Sequence, residues 1–431
     1  MKNNKIKIGI VLLLALSLTL SACAPQPTPA VVVEEQPTAA AAVEQPRGKL
    51  VVRQWEYSAD PNALEISKQM VENFNAQSET IEVRLELIPR DIVRQKLLAA
   101  IEAGDPPDLV RFDLPWTPEF ASMGKLEDLT EKVNAWGEID DFYEGRLETV
   151  LLDGKYYGVP SNSNNLALVY NQEMIDAAGI TEAPKTWAEL KDYAQRLTVM
   201  SGGAIDVAGL VIGGRKNETI PFHFLPWLWQ AGGDVDQINS EAGVRALEEW
   251  KSYLTDGVIP EGMLGWGNSE LRQQFEAGKA AMMINGPGHV AAIPNNVPDL
   301  EFGIWLLPCD AECASVIGGE DWVIPMGARG QEAAWEVLKY YSSPEIHEWW
   351  CVNTKTLPSR ISVGGAEVFN TDPKIKVFVE QNEVARPRPV DPRYAEISEI
   401  IQVAVQSALT NQMSSQAALD QAHTAISEIL K

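Results

Sequence analysis

The chain has 431 residues, 45% of them hydrophobic, and a formal net charge of −25 from 60 acidic and 35 basic side chains. That length allows a large core divided between lobes or domains, and so acidic a surface repels phosphate backbones, which argues against nucleic-acid binding. The histidines (His223, His289, His347, His423) are scattered, and His347-Glu348 lacks a second histidine at zinc-protease spacing, so neither a metal site nor a cofactor is expected.

The chain opens with Lys2, Lys5 and Lys7, an apolar run from Ile8 to Leu20, and then Ser21-Ala22-Cys23. The run is short for a membrane span and reads as a signal peptide over 1–22. Its end resembles a bacterial lipobox, which implies cleavage before Cys23 and acylation of that thiol. The alternative is an ordinary signal peptide with Cys23 incidental. No later segment is long and apolar enough to cross a membrane. Removing the leader takes away three lysines and no acid, leaving the mature chain more acidic. Residues 23–48, rich in Pro, Ala, Gln and Glu, read as a disordered tether.

The folded body begins near Lys49 with a buried strand ending at Trp55. Asp60-Pro61 reads as a helix cap with proline at the first turn. Ala63, Ile66, Met70, Val71 and Phe74 follow as one helical stripe. Ile81, Val83, Leu85 and Leu87 alternate at strand period. Asp91 to Ala103 is helical, with Ile92, Val93, Leu97, Leu98 and Ile101 inward, and Asp108 to Asp113 is a third strand. This order predicts an α/β fold with a mostly parallel sheet whose ligands lie beyond the strands' carboxyl ends.

Further on, Gly154 to Pro160 reads as a crossing point and Leu166 to Tyr170 as a strand. Thr186-Trp187-Ala188-Glu189 is a capping box. Ala208 to Ile212 reads as a strand, Phe222 to Gln230 as an aromatic helix, Met282 to Ile284 as a buried strand, Phe302 to Leu307 as a strand, and Ser414 to Leu430 as the last helix. Cys309 and Cys313 read as a small disulfide loop, with pairing to Cys351 left open.

Several segments together resemble the extracellular solute-binding proteins of ABC importers, the sugar-binding group similar to maltose-binding protein. They are the strand ending in Trp55, Ala103 to Val110, Gly154 to Pro160 with Leu168 to Asn171, Pro184 to Leu190, Gln230 to Asp234, Phe275 to Gly286, and Gly318 to Pro325. The resemblance implies a two-lobe α/β fold of type II with the ligand cleft between the lobes. It places lobe 1 at 49–157 and 308–356 and lobe 2 at 158–307 and 357–431. It also implies a monomer, extracytoplasmic and lipid-anchored, that captures a carbohydrate and delivers it to the importer's permease subunits.

Thirteen tryptophans could supply stacking faces for sugar rings. The candidate ligand residues are Trp55, Glu56 and Tyr57 at the first strand's end, Asp113 and Trp116 after the third, and Asn162 and Asn164 past the crossing. From the second lobe come Phe222, Trp227, Trp229, Trp266, Asn285 and Gly286. Gly319, Glu320, Asp321 and Trp322 combine close backbone approach, two acids and an indole. Arg388 offers a guanidinium fork. A secreted glycoside hydrolase would also be rich in Trp and acids, but Glu320 and Asp321 are adjacent and diverge on an extended segment. A third possibility is the same fold binding a polyol phosphate, polyamine or peptide.

Overall fold

The structure, a computed structural model, describes residues 48–57 and 61–431, without the side chains of Pro61, Asn62 and Asp91. The expected leader, Cys23, the tether to residue 47 and the Asp60 cap lie outside the described residues.

The strands in chain order are β1 (Leu50–Glu56), β2 (Ile81–Leu87), β3 (Leu109–Asp113), β4 (Leu151–Leu152), β5 (Lys155–Tyr156), β6 (Val159–Pro160) and β7 (Ala167–Asn171). They continue as β8 (Val199–Ser201), β9 (Ala204–Val207), β10 (Met282–Asn285), β11 (Phe302–Trp305), β12 (Ser315–Ile317), β13 (Glu320–Val323) and β14 (Ala385–Pro387). One sheet has the order β2-β1-β3-β13-β6 and a second has β10-β7-β11. Each sheet carries its own helices, giving two α/β lobes.

The first sheet follows the expected pattern for β1, β2 and β3, which pair in parallel. Its helices run over Pro61–Gln77 and Arg90–Glu102, and the stripe Ala63, Ile66, Met70, Val71 and Phe74 is buried. Leu87, at the last β1–β2 pair, and Ile92, in the first turn of the helix Arg90–Glu102, are exposed although expected inward. In the second sheet every pair is antiparallel, a direction that hydrophobic period does not encode. The expected strand at 208–212 is reduced to two bridges, Ala208 to Ala280 and Val211 to Met283. Between them the backbone at Gly209 lies against the helix Trp187–Leu197; a Cβ there would fall 1.7 Å from the Ala194 carbonyl oxygen. The capping box at Thr186 and Glu189 has both of its hydrogen bonds.

The chain passes between the sheets repeatedly. Val159–Pro160 still pair with β13, so the first passage falls between Pro160 and β7. Asn164 pairs with Gly318, Ser163 with Leu357, and β12 with β14 in parallel. Segments around Ser163, Ser315–Gly318, Leu357 and Ala385–Pro387 therefore lie side by side where the sheets adjoin. Cys309 and Cys313 form the disulfide on the second crossing, while Cys351 is a free, buried thiol that burial pushes up to about 12.

Gly319, at the end of the second crossing, has a φ of +133°. A Cβ there would lie 2.4 Å from the Asn162 carbonyl oxygen, which is backbone and cannot yield cheaply. Gly319→Ala is expected to cost at least about 1–3 kcal/mol of stability through backbone strain alone, measured as a lower denaturant midpoint at unchanged slope.

Candidate functional site

Because β1 and β3 are parallel, their carboxyl ends meet at one edge of the sheet. Glu56 and Tyr57 end the first, and Asp113 ends the third, with the helix Trp116–Ser122 starting just beyond. β13 runs antiparallel to β3 with Glu320 opposite Asp113, so its first residue reaches the same edge. Glu56, Tyr57, Asp113, Trp116 and Glu320 are thereby brought together.

A buried guanidinium organises this wall. Arg111, 4% exposed, lies mid-strand in β3 and donates to Glu56 and to Glu320, each at 2.7 Å, and to Ser161 Oγ at 3.2 Å. Its carbon centre stands 4.9 Å from the Trp350 ring. Burial disfavours its charge, but Glu320 and Glu56 outweigh that and hold it protonated. Burial also pushes the Glu56 carboxyl above the usual carboxylate range against the pull of Arg111. Alternation sends Asp321 to the opposite face. There Arg146 donates to it at 2.7 Å and Thr117 at 2.9 Å, yet burial still lifts its pKa to about 6.

The facing wall comes from the second lobe. Arg388 follows β14 and is 6% exposed; it donates to Glu218 at 2.8 Å and to Asp113 at 3.5 Å. Its guanidinium lies 5.6 Å from the Phe222 ring and 5.6 Å from the Tyr394 ring. Tyr394 donates its hydroxyl to Glu218 at 2.8 Å, and Ser398 donates to the other Glu218 oxygen. Asp113 is also held by Arg90 at 2.6 Å, and Arg90 lies 5.9 Å from the Tyr57 ring, itself 5.8 Å from Trp116. Asp113 thus joins the two walls. Trp116 and Phe222 remain half-exposed. The Tyr57 hydroxyl, Asn162 Nδ2 and Arg388 Nε are buried without a hydrogen-bond partner among the described residues. Beside the cleft, and sharing Arg388 with it, is a hollow of about 940 Å³ lined by Tyr143, Glu144, Trp229, Asp234 and Arg386 among others.

Most of the remaining expected site residues pack within the protein. Trp55 packs with Val93, Leu97 and Phe112, its ring covered by the Lys96 ammonium at 4.4 Å. Trp227 is in the core against Trp187 and Tyr253, whereas Trp229 donates its indole N–H to Asp234 at 3.2 Å and reaches the hollow. Trp322 packs on Tyr341 in the first lobe's core. Trp266 folds back over its own loop at Gly262, half-buried. Asn162 accepts from the Glu320 backbone N–H at 2.9 Å, and Asn164 packs against Gly318. Asn285 is buried, donating to the Asn268 carbonyl at 2.9 Å and accepting from Gly286 N–H at 2.9 Å. Asn268 in turn contacts His223, whose burial lowers its pKa to about 4.

Sequence reasoning missed Arg111, Arg146, Glu218 and Tyr394. A charged residue inside the apolar strand Leu109–Asp113 was the available signal for Arg111. Glu218 lies in the triplet Asn217-Glu218-Thr219, whose pattern is that of a glycosylation sequon and gives no hint of a cleft role.

The profile described as bacterial extracellular solute-binding protein matches residues 69–377. The chain belongs to this family. The maltotriose-binding protein of Pyrococcus abyssi is 24% identical to this solute-binding protein over 89% of the chain and 80% of its own length. An ABC transporter solute-binding protein from Thermotoga lettingae, bound with α-D-tagatose, is similar with a TM-score of 0.80 and 27% identity, covering 89% of this chain and 100% of its own. The cyclic α-maltosyl-1,6-maltose binding protein from Arthrobacter globiformis is similar with a TM-score of 0.77 and 27% identity, over the same 89% and 100%. The fold is the two-lobe binding-protein fold of maltose-bound T. maritima MalE3, and the family is extracellular.

Removing the charge of Arg111 leaves two acids facing each other in a buried site. Arg111→Met is expected to cost about 3–5 kcal/mol at neutral pH. With the guanidinium gone the folded-state pKa of Glu56 rises further above its unfolded value. The native state then binds the extra proton, so part of the loss is recovered as pH falls toward 5. Urea unfolding at neutral and mildly acidic pH measures both effects; a flat pH response would contradict this account.

Proposed function

We propose that this solute-binding protein captures a carbohydrate in the cleft between its lobes and delivers it, chemically unchanged, to an ABC importer. The observation that carries this reading is the composition of the two facing walls. Half-exposed Trp116 and Phe222 offer flat faces for sugar C–H groups. Asp113, Glu320 and the guanidiniums of Arg90 and Arg388 offer acceptors and donors for hydroxyls. The binding of maltotriose, tagatose and a cyclic maltosyl sugar named for its relatives supports the same class.

A phosphate ligand would need unengaged cations, and Arg90, Arg111 and Arg388 each already hold a carboxylate. A hydrolase would need two carboxyls facing one bond, and Glu320 and Asp321 face opposite ways. In this reading the protein acts as a binder without turnover. In this reading the lobes close around the ligand by rotation at the crossing segments. Lobe 1 comprises about 49–160 and 308–356, and lobe 2 about 167–307 and 357–431, except that Val363 and Phe369 pack in the first lobe's core. The mature chain is a monomer, held at the outer face of the cell membrane by acylated Cys23 and spaced from it by the tether. Several acyl chains give stable anchoring where one is marginal.

Titration with an oligosaccharide panel is expected to give a saturable change in tryptophan fluorescence and a rise in melting temperature. Trp116→Ala should weaken the tightest sugar by about tenfold or more, through loss of stacking and buried apolar area, with the melting temperature of the free protein little changed. Release of reducing ends during the titration would reject the binding reading.

The anchor has its own test. Cys23→Ser is expected to move the protein from the membrane fraction to the soluble fraction while sugar binding is retained. Continued sedimentation with membranes would rule out acylation at that thiol.

A further inference from the structure

A second cavity, of about 360 Å³, shares no lining residue with the cleft or its adjoining hollow. Its walls come from the short helix Pro287–Val290, β11, the end of the helix Pro344–Thr354 with the segment to Leu357, and the helix Pro373–Gln381. Val290, Phe302, Ile304, Leu357 and Phe378 make it largely apolar, and the buried Cys351 lies against it. Protein interiors hold few voids larger than a water molecule. Small-molecule sites occupy roughly 300–1,000 Å³, and this cavity falls at the lower end of that range. Water would find few partners inside, since the Cys351 thiol donates to the Leu357 carbonyl and Thr356 Oγ1 is engaged with Thr354.

The rim is charged differently from the rest of this acidic protein. The Lys374 ammonium stands 3.8 Å from the centroid of the Phe302 ring, which is itself part of the lining. Lys374 is half-buried and, among the described residues, has no carboxylate at ion-pair distance. Lys355 also lines the cavity, held in the left-handed region (φ 59°) at the end of its helix, likewise without an ion pair among the described residues. The one acid on the rim, Asp372, accepts the Lys374 backbone N–H at 2.8 Å as a helix cap. Two lysines thus line an apolar cavity with a single acidic residue beside them.

We propose that this cavity is a second ligand site, which takes a short amphipathic anion: an aliphatic or aromatic tail in the apolar interior and the anionic head between Lys374 and Lys355. The site is independent of the sugar reading, since it uses none of the cleft residues.

Calorimetry and thermal shift on the full chain, with octanoate, 1-octanol and acetate as probes, test the proposal. Octanoate is expected to bind one molecule per chain and acetate not to bind. 1-Octanol should bind about tenfold more weakly, for want of a charge-assisted contact to lysine. Lys374→Gln, at the rim, should bring octanoate down to the level of 1-octanol. Ala291→Trp, which fills the cavity, should abolish binding of both; if that variant does not fold, Lys374→Gln alone carries the charge test. The proposal is overturned if octanoate gives no signal up to its aggregation limit, or if Lys374→Gln leaves its affinity unchanged. It is also overturned if octanoate binding is lost in Arg388→Ala and kept in Ala291→Trp, which would place the anion in the sugar cleft.

Discussion

Arg111 is a full positive charge inside a central strand, and a charge taken out of water must be compensated where it lies. Glu56 from β1 and Glu320 from β13 meet that demand. Their positions fix how the three strands are aligned, because β13 has to enter antiparallel for its first residue to reach Arg111. The same alignment brings Glu320 level with Asp113 and turns Asp321 to the other face, where Arg146 neutralises it. One short strand therefore carries two acids, each answered by an arginine on its own side. The carboxyl edge of the sheet becomes a fixed polar wall as a consequence.

The second wall is built by a different route. Arg388 reaches the cleft because β14 pairs with β12 among the crossing segments, and it is held there between Phe222 and Tyr394. Its contact with Asp113, at 3.5 Å, is longer than its 2.8 Å contact with Glu218 in its own lobe. The stronger tie keeps Arg388 with the second lobe, and the weaker one spans the cleft. The Tyr57 hydroxyl, Asn162 Nδ2 and Arg388 Nε, without partners among the described residues, mark the same region as polar. Buried polar atoms of that kind carry a desolvation cost that ligand hydroxyls can offset.

Local patterns were legible where a residue's neighbours in sequence are also its neighbours in space. The stripe from Ala63 to Phe74, the capping box at Thr186 and the Cys309–Cys313 loop all have this property. The parallel arrangement of β1, β2 and β3 followed from helices placed between strands. The site was partly legible: Glu56, Tyr57, Asp113 and Trp116 stand at strand ends, where open α/β sheets bind ligands. The tryptophans were harder to read. Trp227 and Trp229 are two residues apart on one helix, yet one packs in the core and the other reaches a hollow. A helix turns about 100° per residue, so such a pair must diverge, but nothing in the sequence says which of the two buried rings lines the hollow.

By itself the sequence determined the composition of most elements and which strand ends gather at one edge of the first sheet, and it offered the short-range disulfide beside a pairing with Cys351 that the structure excludes. Hydrophobic period, cap residues and glycine placement are local constraints, written within a few residues of where they act. Only the tertiary structure decided which charges meet. Arg111 with Glu320, Arg146 with Asp321, and Arg388 with Glu218 and Asp113 all join residues far apart in the chain. Such pairings leave no periodic trace, because electrostatic compensation depends on distance in the folded molecule and not on spacing along the chain.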